Sequence, residues 1–442
     1  MRRLIFKAKT SIGARSSLAL AAELERNERL APASLAALTA ERSIAHARYA
    51  MQNSPFYRDL YSAQGITLSD LADPAAFTEL PLVDKQMVRD HFDSIRTPQA
   101  TDRTSAESLS GGTTGEPLRI LRDLRVPIRA VEWRLFRWWG VNPWDHRADL
   151  YRQQLVGAAK RRHDLQWWPS KRLHLDARAM SDEAIRDFVT EWNDAEPTII
   201  VGYVGGVLEL CRSLRRLGLT LVPPIAVALT AAALPEGVRR EIEETLRAPA
   251  YDHYRSSEIP WMAGECRAHS GLHVFSDLRR LEVLDAAGRS APAGSSGEVV
   301  VTDMTNRVFP LIRYRLGDRT RLLTGPCECG VTLPRIAPID GRTADALHLP
   351  DGGVIAGESL TGLFSPTPTA VRQFQLVQSA DHSVMLRCIL GSSAHAEEEI
   401  RAAVDLLRGL GHGQIEVGYE LVDSIPHVAG KTRFIISDAP SH

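Results

Sequence analysis

Thr198-Ile199-Ile200-Val201 and Ile225-Ala226-Val227-Ala228-Leu229 are short apolar runs, and between them Gly206 to Leu217 repeats apolar residues at helical spacing. Strand–helix–strand order of this kind implies βα units and a largely parallel sheet. Working upstream, Ser181 to Trp192 is a further helical stretch, and the alternation reaches back to about Ala148. Downstream of Val274 the pattern turns β-rich: Leu281 to Leu284, a turn over Asp285 to Gly288, then Gly297 to Thr302, as in antiparallel hairpins. The fold class is therefore α/β, with a β-rich subdomain following the parallel sheet. Before it, the residues from Ala22 to Asn53 carry apolar positions at helical spacing until Ser54-Pro55 ends the pattern, which makes the first hundred residues α-rich. After the turn-forming Asp340-Gly341-Arg342, strands are expected at Gln373 to Val377 and Met385 to Ile389 and a helix at Ala394 to Leu407, a small α+β C-terminal domain. The expected division is 1–340 and 341–442.

Composition narrows the functional classes. A chain of 442 residues exceeds one ordinary core and suggests two or three packed units. Its net charge of -1 and 24% charged residues give no bulk field for nucleic acid or an anionic membrane. No apolar stretch approaches the roughly 18 to 20 residues of a membrane span. The basic N-terminus is interrupted by Lys7, Lys9 and Arg15, unlike a targeting segment, and five cysteines do not suit a secreted disulfide framework. A soluble cytoplasmic protein is expected.

Ser108-Leu109-Ser110-Gly111-Gly112-Thr113-Thr114-Gly115-Glu116-Pro117 is the stretch that points to phosphate. Three glycines let backbone N–H groups approach an anion closely, and the hydroxyls of Ser110, Thr113 and Thr114 add donors. Neither GxxxxGK[ST] nor GxGxxG is present, so a different nucleotide enzyme is required.

Ser110, Gly111, Gly112, Thr113, Thr114 and Gly115 resemble the phosphate loop of the adenylate-forming superfamily, which includes acyl-CoA synthetases, nonribosomal adenylation domains and luciferases. Further resemblances follow in order. Tyr254-Arg255-Ser256-Ser257-Glu258 is similar to the family's Tyr-Gly-x-Thr/Ser-Glu segment, which implies Tyr254 and Ser257 at the nucleotide and Glu258 as an oxygen ligand of Mg²⁺. Arg255 stands where the family usually has Gly. Phe309 to Asp318 resembles the Tyr-Arg-x-Gly-Asp element and implies that Asp318, an acceptor-only carboxylate, takes both ribose hydroxyls. Gly341-Arg342 matches the family's domain-junction pair, with Arg342 on ribose or phosphate, although Ala344 replaces the usual hinge residue. Gly430-Lys431 resembles the C-terminal loop whose lysine enters the site during adenylation and stabilises developing charge.

Ser54 to Arg58, Leu80 to Lys85, Gly202-Tyr203, Gly271 to Val274, Cys327 to Gly330 and Leu349 to Gly353 narrow the resemblance to the phenylacetate-CoA ligase-like branch, including CapK-like proteins. That branch often carries a structural zinc. The implied ligands are Cys266, Cys327 and Cys329 with either His269 or His273, a closed tetrahedral set.

The resemblance implies ATP, Mg²⁺ and CoA as cofactors, with structural Zn²⁺, and a small-molecule carboxylic acid that is activated to acyl-AMP and then passed to CoA. Such chemistry needs positioning and charge stabilisation, with a C-terminal domain that moves between half-reactions. The acyl pocket is expected near Tyr203, Gly205, Thr230, Ala231, Ala232 and His253, which flank the motifs. Trp133, Trp138, Trp139, Trp167 and Trp168 are expected in core or interface. Two other readings stay open: transfer to an amine or a carrier-protein thiol, and a degenerate nucleotide-binding homologue, for which Glu116, Arg255 and Ala344 speak. A homodimer is kept as an allowed assembly; no nucleic acid or membrane partner is expected.

Overall fold

The computed structural model describes residues 1–109, 118–151, 156–177, 180–232, 234–339, 346–351, 354–356, 360, 363–364, 367, 370–425, 427–428, 431–432 and 435–439, with backbone only at 109, 346, 354, 356, 427–428 and 431–432. The described residues divide into two compact units. One contains residues 1–109, 118–316 and 320–338, the other 317–319 and those from 339 onward.

Proline and capping residues set the boundaries of the N-terminal helices. Helices α1 (Arg2–Gly13) and α2 (Arg15–Asn27) precede α3 (Pro32–Asn53), which Pro32 opens and which stops at Ser54. Pro55 then opens α4 (Pro55–Ser62), because a residue lacking an N–H costs nothing in a first turn. The Asp84 carboxylate accepts the Met87 N–H at 2.8 Å and starts α5 (Lys85–Asp90), followed by α6 (Phe92–Ile95). Strands β1 (Ser105–Leu109) and β2 (Arg119–Asp123) pair antiparallel, with Leu109 opposite Arg119, and α7 (Arg129–Trp139) follows.

The βα alternation read from Ala148 onward is present as β3 (Arg147–Tyr151), α8 (Gly157–Trp167), β4 (Arg172–Asp176), α9 (Asp182–Ala195), β5 (Ile199–Tyr203), α10 (Val204–Leu217), β6 (Ala226–Thr230), α11 (Glu236–Leu246) and β7 (Ala250–Tyr254). Strands β7, β6, β5, β3 and β4 run parallel in that spatial order. Antiparallel strands β8 (Ala263–Glu265), β9 (Leu272–Val274), β10 (Arg279–Leu284), β11 (Ser296–Asp303), β12 (Tyr314–Leu323) and β13 (Arg335–Ile336) extend it to an eleven-stranded sheet.

Period-two alternation assigns the two faces of the parallel part. Ala148, Leu150, Ile200, Val227 and Leu229 join the core made with α9, α10 and α11, whereas Ile199, Val201, Ala226, Ala228 and Tyr251 join the core made with α2, α3 and α7. Each fully buried aliphatic side chain contributes about 1.5–3 kcal/mol relative to exposure. Register pairs Asp149 with Val201, Val201 with Ala228 and Ala228 with Tyr251. The α7 side of the sheet is thus apolar at its centre and carries charge at β3.

In the second unit β14 (Ala346–His348) pairs with β15 (Val354–Ala356), and β16 (Val371–Gln378) with β17 (Val384–Leu390). Helix α12 (Ala396–Leu410) buries Ile400, Ala403, Val404 and Leu407, the i, i+3, i+4, i+7 stripe of an amphipathic helix. Strand β18 (Val417–Leu421) adds parallel to β17, the short pair β19 (His427–Val428) and β20 (Lys431–Thr432) follows, and β21 (Ile435–Ser437) adds parallel to β16. No helix among the described residues is long and apolar enough to cross a membrane.

Candidate active site and cysteine–histidine cluster

Tyr151, Tyr203, Thr230 and Tyr254 end β3, β5, β6 and β7, all on the carboxyl edge of the parallel sheet, where open α/β sheets place their ligands. Thr230 is buried and donates its hydroxyl to the His253 carbonyl at 2.9 Å. Ala231, next in the chain, has φ +72°, a conformation that costs an L-residue on the order of 1 kcal/mol and is typical of functional loops. Gly205 and Ala232 are exposed. His253 is 1% exposed and stacks on Trp261 with ring centroids 5.0 Å apart; neither ring nitrogen has a partner among the described residues. Burial, then the charges of Arg255 and Arg147, holds His253 neutral, far below the usual imidazole range.

The turn after Tyr254 is held by Ser256, whose Oγ accepts the Ile259 N–H at 2.9 Å. It presents Glu258, 5% exposed and without an ion pair among the described residues. A buried carboxylate lacking a counter-ion is costly, which suits a cation ligand. Arg255 lies 5.0 Å over the Trp261 ring, so the large side chain at a position usually glycine is accommodated by stacking. Ser108 Oγ, in the strand that leads into the Gly/Thr loop, donates to the Ser257 carbonyl at 3.5 Å and brings the first two motifs together.

Two of the short branch motifs and the segment Phe309 to Asp318 prove to be one piece of structure. Tyr57 Oη accepts the Ile312 N–H at 3.0 Å and donates to the Pro310 carbonyl at 3.2 Å. Arg313 donates to the carbonyls of Thr78 and Leu80 and pairs with Glu282 at 3.1 Å. Val83 exchanges backbone hydrogen bonds with Arg313 and Arg315. These contacts fix the strand that carries Asp318, which is 5% exposed. Gly317 just before it has φ +82°, a kink within β12 that explains glycine there.

Lys431 lies on β20, with only its backbone described. Ser110, Gly111, Gly112, Thr113, Thr114, Gly115, Arg342 and Ala344 fall outside the described residues.

The cysteine motifs converge. Sγ of Cys266, Cys327 and Cys329 and a ring nitrogen of His273 all lie within 4.8 Å of one another. Cys266 and Cys327 sulfurs are 3.6 Å apart, and Cys329 Sγ is 3.4 Å from His273 Nε2. A disulfide would require about 2.05 Å. A tetrahedron with metal–sulfur bonds of about 2.3 Å and a metal–nitrogen bond of about 2.0 Å has edges of about 3.5–3.8 Å, which the Cys266–Cys327 and Cys329–His273 separations approach. His273 Nδ1 sits 3.0 Å from the Leu333 carbonyl, leaving Nε2 turned to the sulfurs. Burial raises the Cys266 thiol to about 12, whereas at Cys327 burial is outweighed by hydrogen bonds led by Ser270, and its thiol falls to about 7. Of the two candidate histidines, His269 is elsewhere: it stacks flat on Tyr251 at 4.9 Å, with Nδ1 3.5 Å from Glu265. Gly271, between them, has φ +100°, and a side chain there would strike the Ile336 carbonyl.

Trp133, Trp138 and Trp139 are buried as expected, but Trp168 is exposed and Trp167 lines a cavity of about 250 Å³ that sequence reasoning missed. It lies between α7, α8 and the β3–β4 edge, with Tyr151 on its wall. The Tyr151 ring meets that of Tyr203 edge-on at 5.1 Å.

Comparison with known proteins agrees with this geometry. A family profile described as the CapK C-terminal domain matches residues 347–438. The chain is similar to the phenylacetate-coenzyme A ligase of Thermus thermophilus, 27% identical over 355 residues, 78% of each chain. It is also similar to protein CapK of Staphylococcus aureus, 21% identical over 88% of this chain and 86% of that one. Among solved structures, a 2-hydroxyisobutyryl-CoA ligase in complex with 2-HIB-AMP superposes with a TM-score of 0.76 at 20% identity, covering 94% of this chain and 92% of that one. The fold is that of an adenylate-forming ligase. Within that superfamily, the chain is similar to the phenylacetate-CoA ligase-like branch, with phenylacetate-coenzyme A ligases and CapK among its relatives.

Proposed function

We propose that this chain is an acid-CoA ligase, which activates a carboxylic acid with ATP to an acyl-AMP and transfers the acyl group to coenzyme A. One observation carries the reading: the strand entering the Gly/Thr loop meets Ser257 beside the buried Glu258, at the carboxyl ends of the parallel strands. Similarity to phenylacetate-coenzyme A ligases over three quarters of the chain supports it.

In the first half-reaction a carboxylate oxygen attacks the α-phosphorus, a new P–O bond forms, and the bond to the bridging oxygen breaks to release pyrophosphate. No protein nucleophile is needed, so catalysis is positioning and charge stabilisation. Backbone N–H groups of Ser110 to Gly115 would hold phosphates, Glu258 would ligate Mg²⁺, Tyr254 would stack on adenine, and Asp318 would accept the ribose hydroxyls. Arg342 and Lys431 would neutralise charge at the α-phosphate. Tyr203, Gly205, Thr230, Ala231, Ala232 and His253 would flank the acyl group. In the second half-reaction the CoA thiolate attacks the acyl carbon and AMP leaves, with the C-terminal domain, 341–442, repositioned between the two steps.

Cys266, His273, Cys327 and Cys329 would hold a structural zinc, since four protein donors leave no coordination position for water. Five unpaired cysteines suit a reducing cytoplasm.

The test is pyrophosphate release from MgATP across aryl and alkyl acids, followed by thioester formation with CoA, for wild type and Glu258→Gln. Acid-dependent release that collapses in the variant supports the reading; ATP binding without release for any acid would sink it. Acyl-AMP that is consumed only by amines or a carrier thiol would redirect the second step.

A further inference from the structure

The cavity behind Tyr151 has the wrong lining for a purely apolar acyl chain. Arg147, Asp149 and Tyr151 project from β3 and Arg172 and His174 from β4, at alternate positions on the sheet face that is apolar elsewhere. Opposite them stand Arg129 and Glu132 of α7 and His163 and Trp167 of α8.

Arg147 is fully compensated: Nη1 donates to Glu132 at 2.6 Å and Nε to Asp149 at 2.7 Å. Arg172 is not. It is 7% exposed, its Nε has no hydrogen-bond partner, and it forms no ion pair among the described residues. Among the described residues its one hydrogen bond is a 3.3 Å contact from Nη2 to the Pro143 carbonyl. The guanidinium instead lies 4.2 Å over Trp167, whose ring also meets Arg129 at 4.8 Å. Three further buried polar atoms on the same lining lack hydrogen bonds among the described residues: Tyr151 Oη, His163 Nδ1 and His174 Nε2. Buried polar groups are nearly always satisfied, so orphans gathered around one cavity indicate a polar occupant. Burial pulls both histidines below their usual range and keeps them neutral. Three arginines then face two carboxylates, an excess of one positive charge.

We propose that this cavity binds a second anionic group of the substrate acid, a distal carboxylate held by Arg172 with Tyr151 and His174, so that the enzyme activates dicarboxylic rather than simple monocarboxylic acids. The inference rests on the acid-activating reading above, because Tyr151 joins the cavity to the candidate acyl residue Tyr203. Burial and the neighbouring Arg147 draw the Arg172 guanidinium down to about 10, a penalty that a bound carboxylate would offset.

The experiment uses acids matched in skeleton: pentanoate with glutarate, hexanoate with adipate, and phenylacetate with 4-carboxyphenylacetate. Two quantities are read: kcat/KM for pyrophosphate release, and Kd by calorimetry without ATP. Wild type should favour the di-acid of at least one pair by about tenfold or more, the scale of a charge-assisted hydrogen bond. Arg172→Leu should reduce the di-acid to mono-acid ratio about tenfold, with a smaller loss in Tyr151→Phe, which removes only the orphan hydroxyl. Thermal unfolding checks that each variant folds, and Arg172→Lys, retaining charge without the fork, should fall between. Mono-acids preferred or equal in every pair, or a ratio unmoved by Arg172→Leu and Tyr151→Phe, overturns the proposal. If no acid supports pyrophosphate release, the activation reading fails separately, and the Kd ratios still decide the pocket.

Discussion

His273 places Nε2 3.4 Å from the sulfur of Cys329 while its Nδ1 faces the Leu333 carbonyl at 3.0 Å. One ring nitrogen is thus engaged by backbone and the other aimed at three thiols from two other segments. Purified protein should contain one equivalent of zinc by elemental analysis. His273→Ala or Cys327→Ser should lose it and lower the unfolding midpoint, whereas His269→Ala should retain it. Protein with full stability and no bound metal would reject the site.

Lys431 and Asp318 should separate in their kinetic effects. A lysine that stabilises charge only during adenylation predicts that Lys431→Ala lowers pyrophosphate release about 100-fold or more yet spares thioester formation from supplied acyl-AMP. Asp318→Ala, losing the ribose acceptor, should impair both. Equal losses in both steps for Lys431→Ala would remove it from a step-specific role.

Arg134 and Asp277 form a fully buried pair, Nη1 donating to Oδ1 at 3.0 Å, with the Asn27 amide also donating to Oδ2 at 3.1 Å. The pair ties α2, α7 and the turn before β10. Removing Asp277 leaves the buried Arg134 only the longer 3.6 Å ion-pair contact to Glu28, so Asp277→Ala should cost about 3 kcal/mol in denaturant unfolding. The double change Arg134→Met with Asp277→Leu should cost less than Asp277→Ala alone.

Asp252 provides a pH signature. Burial, then the charge of Glu265, raises its carboxyl from 3.8 to about 7, while Glu265 is held low despite burial by His269 and Arg239. Between about pH 4 and 7 the native state therefore binds more protons at this site than the unfolded state, and its contribution to stability falls as pH rises. Asp252→Asn should flatten that decline: its melting temperature relative to wild type should be higher at pH 8 than at pH 5. The opposite slope would show that Asp252 is ionised throughout.

The strands and helices around Ile199 to Leu229 were legible because local periodicity determines them, and observed limits differ from the expected ones by a few residues. Motif order also carried the branch resemblance, and the segments around Tyr57, Val83 and Arg313 hold one another in the fold. What depends on distant partners was hidden. His269 and His273 are four residues apart, and the turn at Gly271 decides which one meets the cysteines. Arg147-Ala148-Asp149-Leu150-Tyr151 alternates like a solvated edge strand; only α7 and α8, packed from elsewhere, turn its charged side inward.

Helix α8 buries none of its own residues, although it forms one wall of the cavity. What fastens it is the clasp of Arg129 and Arg172 on Trp167, together with Lys9 of α1, whose ammonium donates to the carbonyls of Gln166 at 2.9 Å and Trp168 at 2.8 Å. On the dicarboxylate proposal, preference for one acid over another rests on a panel at the molecule's margin that is held from the first dozen residues of the chain.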